Sequence, residues 1–257
     1  MGRELAGFLA GFVIATITSP VGVSGAVFLL PVQLSVFGVP NPQVTPTNLL
    51  YNVLAGPGAL FRYFHQGQLR GPLARTLVWG SAPGVVIGAV LRVYVADDPT
   101  VFKLVAAAVL LPTGLYILLS RRRSTRVPRT PLSPRTITLA AFVVGIVGGI
   151  YGIGGGSILG PILVGSGLAL SEVAPAALAS TFVTSVVGVA TFGVLQVNAA
   201  GSIAPDWPLG IACGLGGLGG GYLGAALQPR LPEQLLRTVL GLLAIGLAVV
   251  YVVQVAT

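Results

Sequence analysis

Charge is scarce in this chain. Only 8% of its 257 residues are Asp, Glu, Lys or Arg, against about 25% in a soluble domain, so there is too little polar surface to face water on all sides. Carboxylates are few, and all six of them, Glu4, Asp97, Asp98, Glu172, Asp206 and Glu233, map to segment ends or loops. Proton pumps commonly relay through buried carboxylates, and none is placed to do so here. One histidine, His65, and one cysteine, Cys213, leave no set of side chains for acid–base or metal catalysis. A lone cysteine also forms no intrachain disulfide. An enzyme is therefore not expected, and neither a metal nor a cofactor is called for. The phosphate-binding loop of an ATP-driven pump is absent as well.

Apolar residues make up 54% of the chain, in continuous runs without the period-two alternation of a membrane barrel. Several runs reach the roughly 20 residues that cross a bilayer core as a helix. These features predict an all-α polytopic membrane protein. The net charge of +8 is concentrated in SRRRSTRVPRTPLSPR, residues 120–135. A basic tract between apolar spans reports topology, so nucleic acid is not an expected partner. The N-terminal MGRELAGFLAGFVIATI resembles a signal peptide, but its apolar run continues too far and its sequence recurs later.

That recurrence organises the chain. LAGFVIATITSPVGVSGAVFLLP (9–31) aligns without gaps to LAAFVVGIVGGIYGIGGGSILGP (139–161), pairing Gly22 with Gly152, Gly25 with Gly155 and Pro31 with Pro161. The order of later segments also repeats, giving a first transmembrane repeat at 1–119, a basic linker at 120–136 and a second repeat at 137–257. Each half reads as four apolar segments, at about 5–38, 45–65, 72–95 and 100–119, then 137–168, 173–197, 207–228 and 234–256. The opening segments exceed thirty residues and carry a glycine cluster near the centre. Gly costs about 1 kcal/mol relative to Ala inside a helix, so two short helices meeting at an unwound stretch are expected. The first copy has Ser24 and Ala26 where the second has Gly154 and Gly156, and is expected to be less unwound.

Backbone groups freed by a break must be buried in protein or line a wet cavity, and matched breaks in two halves of a transporter point to its substrate site. If each opening segment returns to the face it entered from, the halves are inverted. The basic regions 62–75, 121–135 and 230–237 then share one face, and the loop 198–206, without Lys or Arg, takes the other. Arg3, Arg92 and Lys103 fall outside that pattern. If the opening segments cross fully, the halves are parallel. The inverted arrangement fits the charges better, with the linker cytoplasmic.

GIGGGSILGPIL (152–163) and its degenerate copy VGVSGAVFLLPVQL (21–34), with TPTNLLYNVLAGPGALFRYFHQGQL (45–69) and APAALASTFVTSVVGVATF (174–192), resemble the sulfite exporter TauE/SafE family, also called the 4-toluene sulfonate uptake permeases. The likeness spans the whole chain. It implies a transporter of small sulfur-containing or organic anions, such as sulfite or sulfonates, in the cell (inner) membrane. The direction of transport stays open, as does self-association into a homo-oligomer; the implied partners are a small anionic substrate and the lipid bilayer.

Helix N-termini bind anions through free amides and the positive end of the helix dipole. The expected substrate-binding residues are Gly22, Ser24 and Gly25 in the first break and Gly152, Gly154, Gly155, Gly156 and Ser157 in the second. Close helix packing through small residues is the competing account of such glycines. The second segments add polar side chains at helical spacing: Asn48 and Asn52 with Tyr51, and at corresponding positions Thr181 and Ser185 with Thr184. Interhelical hydrogen bonding would also explain them. Arg62 and His65 read as interfacial. GIGGGS lacks the last glycine of a dinucleotide fingerprint and the strand–helix unit around it. With no central carboxylate, anion efflux down the membrane potential is the expected mode, and an anion channel lined by the same donors is the alternative.

Overall fold

The computed structural model describes residues 2–40, 43–69, 71–94, 100–119, 132–197 and 203–256. Most of the basic linker, and part of the 198–206 loop, lie outside those residues. Among the described residues there are ten α-helices and no strands: α1 (Gly2–Thr18), α2 (Ala26–Ser35), α3 (Val44–His65), α4 (Pro72–Tyr94), α5 (Thr100–Leu119), α6 (Pro134–Tyr151), α7 (Gly156–Gly165), α8 (Leu170–Gln196), α9 (Trp207–Leu227) and α10 (Glu233–Ala256). Six of the stretches, centred on α1, α4, α6, α8, α9 and α10, are long and apolar enough to cross a membrane. α3 is not among them. Its Thr45, Thr47, Asn48 and Asn52 lower its hydropathy, but all four are buried, so its polar face points inward.

Local chemistry accounts for the ends. Ser133 accepts a hydrogen bond from the Thr136 amide and Pro134 follows, which starts α6; Asp206 accepts from the Leu209 amide ahead of α9, with Pro208 in the first turn. Both pairs satisfy otherwise orphaned amides and preset the backbone. The 3-10 turn that follows α1 ends on Gly22 and α6 ends on Gly152, both left-handed with φ of 75° and 70°, a conformation open to glycine at no steric cost.

Small residues set the packing. α1 turns Leu5, Leu9, Val13 and Ile17 outward and lays Gly7, Gly11 and Ala15 against α9. Gly7 meets Leu209 and Cys213, while Gly216 and Gly220 meet the backbone of Phe8 and Phe12. α4 and α6 associate in the same way, Gly80 beside Thr138 and Ala141, Gly84 beside Phe142 and Gly88 beside Ile146. Spaced glycines let backbones approach closely, which is how helices associate where lipid offers no hydrophobic drive.

These registers also give helix directions. α1 and α9 run the same way, and so does α3, whose Leu50 meets Gly210 and Gly58 meets Leu218. α4 and α6 run together, as do α4 and α8, with Ser81 beside Ser180 and Val85 beside Gly188. α8 runs opposite to α3, Leu49 touching Gly188 and Gly56 touching Phe182. Thus α1, α3 and α9 start at one face, and α4, α6 and α8 start at the other. At the first face Arg3 pairs with Asp206 at 2.7 Å and donates to the Phe37 carbonyl at 2.9 Å. The chain therefore returns, after α2, to the face where α1 began. Arg62, Arg75, Arg135, Arg230 and Arg237 sit at helix ends on the second face.

The opening segments divide at these breaks into first arms of 17 and 18 residues and second arms of 10 each. One expectation needs correction: the first break is not less unwound than the second. α-Helix stops at Thr18, a single 3-10 turn covers Ser19–Val21, and residues 22–25 are non-helical, matching 152–155. Ser24 fits because no residue other than glycine takes positive φ there, whereas its counterpart Gly154 does, at 70°.

Candidate functional site

The two short helices α2 and α7 point their N-termini at each other near the middle of the bundle. The Ser24 amide donates to Ser157 Oγ at 3.2 Å, and Ser157 Oγ donates to the Ile153 carbonyl at 3.0 Å. α3 stitches both breaks together. Asn52 Oδ1 accepts from Ser24 Oγ, Asn52 Nδ2 donates to the Gly152 carbonyl at 3.3 Å, and Asn48 Nδ2 donates to the Ala26 carbonyl at 2.8 Å. Ser24 Oγ also accepts from the Ala26 amide at 3.2 Å, capping α2. On the opposite side Thr184 Oγ1 accepts from the Gly155 amide at 3.5 Å and donates to the Ser180 carbonyl at 2.7 Å.

Each helix N-terminus carries about half a positive charge and each C-terminus about half a negative one. Where α1 ends, the orphaned carbonyls are covered: Tyr63 donates to Ser19 O at 2.9 Å and Gln228 to Pro20 O at 2.8 Å. Where α6 ends, Thr45 donates to Ile150 O at 3.0 Å and Asn52 to Gly152 O, so carbonyls at both breaks are hydrogen-bonded where the N-termini of α2 and α7 converge.

A narrow cavity adjoins this point, about 320 Å³ when counted to its open mouth. Ser24, Gly25, Tyr51, Asn52 and Thr181 line it. The hydroxyls of Tyr51 and Thr181 are buried without a hydrogen-bond partner among the described residues, and the two residues are 1% and 3% exposed. Buried polar groups are nearly always bonded; Asn48 Oδ1 and Ser185 Oγ are likewise unpaired among the described residues. Ala55, Gly56 and Ala59 of α3 and Leu178 and Phe182 of α8 continue the cavity's lining.

Of the residues singled out in the sequence, Ser24, Gly25, Tyr51, Asn52 and Thr181 reach the cavity. Gly22, Gly152, Gly154, Gly155 and Gly156 do not; they sit where a side chain would strike Ala174, Thr45, Thr181, Ser81 and Ala177. Ser157 and Asn48 support the breaks from behind, and Thr184 and Ser185 are fully buried and do not line this cavity. Arg62 lies over the Tyr222 ring at 5.9 Å, and His65 is turned back to the Phe61 carbonyl. Sequence reasoning missed the small face of α3, Ala55, Gly56 and Ala59. With Asn52 they recur at the helical spacing of one stripe, a signal that was present. Gly217 on α9 and Phe182 on α8 complete the walls; nothing in the local sequence marks them.

Comparison with known proteins agrees with this architecture. A family model described as "Sulfite exporter TauE/SafE" matches residues 7–251. The chain is 27% identical over 245 residues to a "Probable membrane transporter protein ORF9" of Sinorhizobium sp., covering 94% of this chain and 89% of that relative. It is 26% identical over 250 residues to a "Probable membrane transporter protein" of Xylella fastidiosa (strain 9a5c), covering 95% and 91%.

Proposed function

This chain belongs to the sulfite exporter TauE/SafE family, and from that premise we propose that it is a secondary transporter exporting a small sulfur-containing or organic anion across the cytoplasmic membrane. The observation that carries the reading is the meeting of two helix N-termini, Ser24 against Ser157, beside a cavity with two unpartnered hydroxyls. Amides and hydroxyls of this kind suit sulfonate, sulfite or carboxylate oxygens, and neutral donors release a bound anion more readily than a cation would.

The halves 1–119 and 137–257 act in this reading as inverted repeats joined by the linker 120–136. The opposite directions of α1 and α6 support it, as does the exchange of partners in which α1 leans on α9 and α6 on α4. The second face, with its five described arginines, is the cytoplasmic one by the positive-inside rule. The cavity has free space for roughly one water molecule, which favours a carrier that must open further over a continuous anion channel.

Efflux of a monovalent anion from a negative-inside cell gains about 2.3 kcal/mol per 100 mV. Purified protein in liposomes, loaded with radiolabelled anion and given a potassium diffusion potential, tests the reading. Saturable, voltage-driven efflux with counterflow is expected. Flux that ignored voltage and followed a pH gradient would overturn the electrogenic mechanism, and single-channel currents would replace the carrier by a pore.

A further inference from the structure

Resting on the transporter reading above, we propose that the second break carries a counterpart of this cavity, facing the first side of the membrane, and that Phe192 is the stopper that closes it in this conformation. α3 and α8 correspond at an offset of 133 residues, so Asn48, Asn52, Ala55 and Ala59 match Thr181, Ser185, Gly188 and Phe192. Each set recurs at intervals of four, three and four, the spacing of one helix face. α8 runs opposite to α3, with Leu49 on Gly188 and Phe182 on Gly56. The α3 stripe therefore steps from the breaks toward the second face, and the α8 stripe toward the first. Both pass from polar residues to a small one, and they part at the fourth position. Ala59 lines the cavity. Phe192 is 3% exposed and packs in a separate apolar cluster with Leu49, Ala89 and Ile203.

The polar groups of a site are present at the second break and idle. Ser185 Oγ and Asn48 Oδ1 belong to fully buried residues and have no hydrogen-bond partner among the described residues. They occupy the positions that match Asn52 and Thr181 of the cavity, and a buried polar group left unpaired is costly. What the second break lacks is space. Leu49 fills the notch at Gly188, its two methyls 3.0 and 3.1 Å from where a Cβ would stand. Ser81, which matches Gly217 of the cavity wall, fills the place beside Gly155. Phe192 stands about two turns beyond Ser185 on the same stripe, across the way to the first face. The Ile203 amide donates to Gln196 Oε1 and the Asp206 amide to Thr47 Oγ1, both at 2.8 Å, which straps the cluster to α8 and α3.

Inverted repeats alternate access by moving one part against the other around a fixed site. Exchange of the two arrangements draws Leu49 and Phe192 away from the α8 stripe, and Ser185 and Asn48 then take the part that Asn52 and Thr181 play here. Packed interfaces hold discrete arrangements instead of deforming continuously, and an all-apolar stopper parts without breaking an ion pair.

Thiol labelling in right-side-out membrane vesicles, with the first face outward, tests the proposal. In a Cys213→Ser background, Ser185→Cys puts one thiol, close in size to the hydroxyl, at the floor of the closed half-site. A membrane-impermeant maleimide added outside is expected to react slowly in this parent. It is expected to react at least about tenfold faster in Phe192→Ala and within about threefold of the parent in Phe192→Leu, because a buried thiol reacts in proportion to local opening. Loading the parent's vesicles with benzenesulfonate is expected to speed labelling at least about threefold while the anion leaves, since turnover populates the other arrangement. That arm leaves Phe192 in place and decides the matter if Phe192→Ala does not fold by size exclusion. General loosening is read with Cys213 as the sole thiol: it is fully buried against α1, and Phe192→Ala is expected to leave its labelling unchanged. Equal acceleration at both thiols, or none at Ser185→Cys in a folded Phe192→Ala or in an exporting parent, overturns the stopper and leaves the transporter standing. If neither benzenesulfonate nor sulfite leaves loaded vesicles, the transporter reading falls and this proposal with it.

Discussion

Asn52→Asp isolates the electrostatics of the site, because it replaces one amide nitrogen by oxygen and leaves the cavity's shape unchanged. In the wild type Asn52 lines the cavity, accepts from Ser24 Oγ and donates to Gly152 O. The exchange removes the second bond, worth about 0.6 kcal/mol between membrane helices. When ionised, the new carboxylate stands beside the docked anion. Two unit charges about 4 Å apart at an effective dielectric of about 20 repel by about 4 kcal/mol, close to three decades in affinity. The sign with pH follows: at low pH the carboxyl is protonated and neutral, and binding stays within about tenfold of wild type. As pH rises the carboxyl ionises and binding is lost, by roughly 100- to 1,000-fold. Isothermal titration with benzenesulfonate from pH 4.5 to 8.5 reads this, with wild type as the flat reference and a size-exclusion profile to show that the variant folds. A folded variant that binds like wild type at pH 8 would refute the placement of the anion beside Asn52.

Gly25→Ala and Gly156→Ala separate site from packing. Gly25 has ordinary helical φ, and its added methyl strikes the far end of the Tyr51 side chain, so the protein folds while anion affinity falls at least about tenfold. The methyl of Gly156→Ala strikes the Ala177 backbone carbonyl, so the expected loss is in yield and thermal stability, about 3 kcal/mol or more; equal behaviour of the two variants counts against the distinction. In a Cys213→Ser background, Ala59→Cys is expected to react with a membrane-impermeant maleimide from the side bearing Arg230 and Arg237, and to be protected by bound anion, whereas Val36→Cys reacts from the opposite side. Gln228→Leu, which uncovers the Pro20 carbonyl, is expected to lower the melting temperature in detergent by a few degrees, about 1 kcal/mol in a chain of this size; an unchanged melting temperature would show that bond to be idle.

Much of the fold was legible because glycine at a helix end has a physical meaning. Gly22 and Gly152 stand where the chain must turn left-handed, and both breaks fall there. The polar pairs on α3 and α8 were legible from their spacing. The division of labour among the glycines was not, because the same residue type serves close packing and ligand access. Gly154 and Gly156 abut Thr181 and Ala177, while Gly25 faces the cavity. The position of the cavity was hidden for a related reason. Corresponding positions carry Tyr51 and Thr184, or Gly217 and Ser81, and what their volumes leave empty depends on helices placed side by side.

The pairing of α1 with α9 carries a consequence for synthesis. α1 leaves the ribosome well before α9, and it seats Gly7 and Gly11 against Leu209 and Cys213, which are made roughly 10–40 s later at ordinary elongation rates. Until then its glycine-notched side has only lipid or the insertion machinery beside it. A fragment ending before the linker would keep that side bare, so splitting the gene at residue 119 should yield pieces that are stable only when made together.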